Sequence, residues 1–170
     1  MDIFRAAERL MTMDDQTWDR HANPWSVATR FTCAPLLVLA IWSRDWIGWW
    51  ALLTFAAAAL WTWYNPRAFP PPRSFDTWAG RGTRGERLYL NRANVAIPVH
   101  HAQAATVLTV VSGVAALVMV YGLIWLDPWA TVAGTFLTMA FKAWFVDRMA
   151  WLYDEMSAQG HQISPASPPQ

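Results

Sequence analysis

The side chains in this sequence best equipped for chemistry are imidazoles, carboxylates and guanidiniums gathered where long apolar runs end. His21, His100 and His101 all stand beside such ends, and His161 lies near the C-terminus. A metal site would take one of the adjacent pair His100 and His101, add His21, and complete its set with a carboxylate such as Asp147 or Asp154. Adjacent residues on a helix point about 100° apart, so His100 and His101 do not form the i, i+4 pair that offers two imidazoles to one ion. A metal is therefore a candidate without being the favoured cofactor. Haem fits less well, since no CxxCH is present. The single cysteine, Cys33, lies in an apolar run and can build neither a disulfide nor a thiolate metal site within one chain.

A second constellation is cationic. The run FKAWFVDRMAWLYDEM, residues 141–156, carries Lys142, Asp147 and Arg148 inside a stretch otherwise suited to lipid, and Arg30 lies six residues beyond Pro24. Charges at that depth must snorkel to the boundary or pair, and Arg30 with Asp147 is the expected pair. Asn65, Arg67, Asn91, Arg92 and Tyr153 complete a polar layer with His21, Asn23, His100 and His101. Two readings of this layer stand side by side. It binds an anion, a lipid headgroup or a metal, or it caps helices and orients them. Arg81, Arg84 and Arg87, in RGTRGERLYLNR, are placed to meet anionic headgroups, and a cytoplasmic excess of arginine would put them there as well. No nucleophile elbow, phosphate loop, HExxH or nucleic-acid motif is present.

Composition names the solvent for the elements that carry these groups. Of 170 residues, 55% are hydrophobic and 15% charged, and 13 are tryptophan, which is too few charges for an ordinary water-soluble surface. Four apolar runs are long enough to span a hydrocarbon core of roughly 30 Å. They cover about 24–43, 46–64, 101–126 and 128–150. The expected fold is all-α: a polytopic membrane protein with four transmembrane helices in two hairpins, an N-terminal amphipathic helix and a cytoplasmic central loop over 65–100. Asn23-Pro24 and Asp127-Pro128 read as helix starts, Asn65-Pro66 as a stop, and Pro35 as a kink in the first span. Trp42, Trp46, Trp49, Trp50, Trp125 and Trp129 fall at the short turns, and Trp25, Trp61, Trp63 and Trp151 at the opposite ends, as two interfacial belts require. A soluble four-helix bundle is the alternative, and apolar faces all round the helices count against it.

Arginine sets the orientation. The short turns carry Arg44 alone, whereas the N-terminal segment and the central loop carry nine arginines between them, so both termini and the loop are expected on the cytoplasmic side of a prokaryotic inner membrane. Ile3, Phe4, Ala7, Leu10 and Met11 form an apolar stripe in the 1–23 segment, and SPASPPQ, within the 157–170 tail, lacks the means to bury itself. RHANPWSVATR, WYNPRAFPPP and FKAWFVDRMAWLYDEM resemble a family of short prokaryotic integral membrane proteins known only as a domain of unknown function, over about Glu8 to Met156. That resemblance implies four spans and brings no reaction, ligand or site residue. The functional expectation is a non-enzymatic accessory or interaction subunit in contact with membrane lipids and a larger membrane complex, without nucleic acid. The alternative is a membrane-embedded enzyme or ligand-binding protein that uses the polar layer.

Overall fold

The computed structural model describes residues 10–11 and 13–160, and among them the regular structure is helical, with no strand. Most of the expected surface helix at 2–12, the SPASPPQ tail and His161 lie outside the described residues. The helices are α1 (Asp15–His21), α2 (Pro24–Arg30), α3 (Cys33–Trp42), α4 (Arg44–Ile47), α5 (Ala51–Tyr64), α6 (Trp78–Leu90), α7 (Val99–Trp125) and α8 (Pro128–Ala158), with short 3-10 turns at Gly48–Trp50 and Asn65–Arg67. The described residues fall into two compact units. One holds those up to Val27, Pro66–Ala104 and those from Val146 onward, and the other holds Ala28–Asn65 and Ala105–Phe145.

Punctuation residues begin and end these helices as their chemistry requires. Asp14 caps α1 by accepting from the Thr17 N–H at 2.7 Å, and the Thr17 hydrogen bonds hold its carboxyl below the ordinary aspartate range. Asn23 caps α2 through the Trp25 N–H at 2.9 Å, and its amide reaches the Pro70 carbonyl at 2.9 Å. Thr77 caps α6 through the Gly80 N–H. Asp127 caps α8 through the Ala130 N–H at 3.0 Å, with Pro128 at the first helical position, where a missing N–H is harmless.

The expected kink at Pro35 takes a different form. The chain breaks at Phe31 and Thr32, between α2 and α3, and Pro35 falls in the first turn of α3. Proline has no N–H to give the carbonyl four residues back, which is that of Phe31, so the helix is interrupted where the bond is lost. Thr32 steadies the joint by donating its hydroxyl to the Thr29 carbonyl at 2.6 Å.

Within the second unit, α3 and α5 lie side by side. Ser43 and Thr54 share a hydroxyl contact of 3.1 Å, the Trp61 indole donates to Thr32 at 3.3 Å, and the Asn65 amide donates to Thr29 at 2.8 Å. α7 and α8 meet at small residues, where a side chain at Gly134 would run into the Met119 backbone and one at Gly122 would lie 2.6 Å from the Thr131 hydroxyl. The C-terminus of α7 closes with Leu126 at φ 54°, which turns the Asp127 N–H onto the Gly122 carbonyl at 2.9 Å. Arg44 donates to the next two orphan carbonyls, those of Leu123 and Ile124.

Two helical stretches, Pro24–Arg67 and Val99–Trp125, are long and apolar enough to cross a membrane. In the most apolar window of Val99–Trp125 only 22% of residues are buried, unlike the core helix of a soluble domain. Trp49 and Trp129 are 87% and 83% exposed, and Leu117, Phe136 and Trp125 are also turned outward.

Candidate functional site

The first unit is assembled around the C-terminal half of α8. α6 lies against it at backbone range: a Cβ at Gly82 would sit 2.6 Å from a Val146 methyl, and one at Gly85 would overlap the Met149 carbonyl oxygen. Glycine weakens a helix by roughly 0.5–1 kcal/mol relative to alanine, so its repetition through WAGRGTRGE has a compensating cause in this close approach. Met149, Leu152 and Met156 are fully buried on the side of α8 that this unit covers.

The three headgroup candidates of α6 each have a partner inside the chain. Arg87 pairs with Asp15 and lies 3.8 Å from Asp19, both on α1. Arg81 meets Asp154 at 3.4 Å. Arg84 stacks over the Phe75 ring at 3.9 Å from its centroid, with the Tyr153 hydroxyl 3.5 Å from its Nη1. Asp147 accepts a hydrogen bond from the Trp78 indole at 3.0 Å, a partner that the expected pairing with Arg30 did not include. Arg148 lies over Trp151, 4.4 Å from its centroid. Arg92 donates to the Tyr89 carbonyl, Asn91 ends α6 and accepts from Asn94, and Arg67 donates to the Met11 carbonyl. Arg30, Asn65 and Lys142 belong to the second unit, where Asn65 is wholly buried and Lys142 lies 4.8 Å from the Phe145 ring centroid.

One convergence stands apart from this ionic network. Pro98 opens α7 by accepting from the His101 N–H at 3.0 Å, which puts His100 and His101 in the first helical turn. Both rings reach the same carboxylate oxygen: Nε2 of His100 is 3.1 Å and Nε2 of His101 3.0 Å from Glu155 Oε2. Hydrogen bonds from His101 and then His100 hold the Glu155 carboxyl below the ordinary glutamate range, against the opposing effect of burial. The positive end of α7 acts in the same direction. His101 is fully buried, with its ring edge-on to Trp151 at 5.6 Å, while the His100 side chain is 54% exposed. The ring centroids of the two histidines are 4.2 Å apart.

The metal set expected from the sequence thus divides. His100 and His101 come together, but the carboxylate between them is Glu155, while Asp154 pairs with Arg81 and His21 hydrogen-bonds Ser26 at 3.1 Å. Spacing alone favours one imidazole per ion from adjacent positions, and it overlooks that a carboxylate approaching between two side chains 100° apart is reached by both. The available signal was helical register: Glu155 is four residues from Trp151 and seven from Arg148, on the face that bears His100 and His101.

The chain belongs to DUF6653, a family of unknown function, whose model matches residues 5–169. No curated protein and no solved structure matches it.

Proposed function

From that membership, which brings no activity with it, we propose that the chain is a small integral membrane protein acting by association, as an accessory subunit of a larger membrane complex. It crosses the bilayer four times, as two hairpins joined by the 65–100 loop, with both termini in the cytoplasm. The observation that carries this reading is the exposure of large apolar side chains along α3, α5, α7 and α8, among them Leu39, Leu52, Leu117 and Phe136. At roughly 25 cal/mol per Å² of apolar surface, water would be a costly solvent for those faces and lipid a neutral one. Tryptophans at the turns and the arginine-poor Ser43-Arg44-Asp45 segment agree with a far-side location for the short connections.

The test is topological. A cysteine placed at Asp45, exposed in the same turn, in a Cys33→Ser background, is expected to react with a membrane-impermeant maleimide from the periplasmic side of intact cells. Labelling only from the cytosolic side of inverted vesicles would overturn the orientation. A second reading is favoured by one observation, the meeting of two imidazoles on Glu155: the first unit binds a ligand at the membrane boundary.

A further inference from the structure

We infer that His100, His101 and Glu155 form a binding site for one divalent transition metal ion of the zinc type. This inference rests on the second reading above and names the ligand of that site.

Geometry carries the argument. One donor atom from each residue can be chosen so that all three lie within 4.8 Å of one another. Around a tetrahedral ion with bonds of about 2.0–2.1 Å, neighbouring donors stand roughly 3.3 Å apart. Both imidazole–carboxylate distances, 3.1 and 3.0 Å, already approach that edge. The remaining edge, between the two rings, closes by rotation of His100, whose exposed side chain is free to turn. That exposed side also supplies an entry path and room for a fourth ligand from solvent, while the Trp151 ring stands beside both imidazoles.

The buried ring also fixes which of its atoms faces the ion. Among the described residues Nδ1 of the fully buried His101 has no hydrogen-bond partner, so Nε2, turned toward Glu155, is the nitrogen that this ring presents to the cluster.

Electrostatics selects the class of ion. Arg148 stands beside Trp151, and the first turn of α7 is the positive end of its helix, so a hard cation held by charge alone is disfavoured. Two imidazoles and one carboxylate suit zinc, copper or nickel, which bond nitrogen strongly, over magnesium or calcium, which want a cage of oxygens. Glu155 neutralises one of the two positive charges, and a hydroxide or solute anion at the open position would neutralise the other.

The experiment uses the full chain in mild detergent, carrying a tag without histidines. The protein is stripped with a chelator, incubated with zinc chloride, desalted and analysed for metal by mass spectrometry. Retention of about one zinc per chain is expected, with a zinc-dependent rise in melting temperature. Cobalt in place of zinc should give the intense visible absorption of a four-coordinate site. His100→Ala, at an exposed position where the fold survives, and Glu155→Gln should each weaken zinc binding by more than the roughly 10–100-fold that loss of an outer partner costs. Circular dichroism of both variants should remain that of the parent. Failure to retain zinc, or equal retention by the parent and both variants, would overturn the site. Neither result bears on membrane insertion, which the labelling of position 45 decides separately.

Discussion

Arg44 is the one basic side chain in the two short turns, and it ends against the carbonyls of Leu123 and Ile124 at the C-terminus of α7. Those oxygens have no intrahelical donor, and near an apolar medium a carbonyl without a partner is expensive. Arg44→Met keeps the aliphatic stem and removes both hydrogen bonds. The expected loss is about 1–3 kcal/mol in chemical denaturation followed by tryptophan fluorescence. The sequence marked Arg44 as an exception to charge asymmetry without indicating what held it there, because its acceptors lie some eighty positions further along the chain. Glu155 was hidden for the same reason. Its role depends on α7 starting beside the end of α8, a relation that no local spacing encodes.

At the scale of elements, local punctuation was legible and close approach was not. Asn23-Pro24, Asn65-Pro66 and Asp127-Pro128 each end or begin a helix as their side chains dictate, since a cap and a missing N–H are properties of one or two residues. The glycines of α6 look in sequence like flaws in a short loop helix. In the fold they are the contact surface, and α6 runs from Trp78 to Leu90 pressed on Val146 and Met149. Two substitutions of the same kind should therefore differ in sign. Gly85→Ala forces a methyl into the Met149 carbonyl and should cost about 1–3 kcal/mol, more than the better helix former returns. Gly113→Ala, in α7 with nothing within 4 Å of the new methyl, should stabilise by about 0.5–1 kcal/mol. Thermal unfolding of both variants in one detergent reads the contrast directly.

Over the whole molecule, helical class and the presence of helices long and apolar enough to cross a membrane were both readable from the apolar runs, because they are sums over many residues. Fewer such stretches stand out by themselves than the four apolar runs of the sequence. Two stretches, Pro24–Arg67 and Val99–Trp125, have the length and apolarity of a span by themselves, whereas α8 interrupts its apolar run with Lys142, Asp147 and Arg148 before reaching Ala158. In the proposed topology α8 crosses with its first half and leaves its charged half at the boundary, where Asp147 and Asp154 find Trp78 and Arg81. Washing native membranes with alkaline carbonate should therefore leave the protein in the pellet. Release into the supernatant would identify a peripheral protein whose exposed leucines and tryptophans are covered by something other than lipid.

The joint at Phe31 and Thr32 bears on how such a chain is made. α2 and α3 have 7 and 10 residues, about 10 and 15 Å of rod, and neither reaches across a hydrocarbon core of roughly 30 Å. α7, at 27 residues, exceeds it by a wide margin. In the proposed topology the opening segment therefore enters the bilayer as an articulated piece whose freed carbonyl needs company, and the later, unbroken helix is the one that can lodge there unaided.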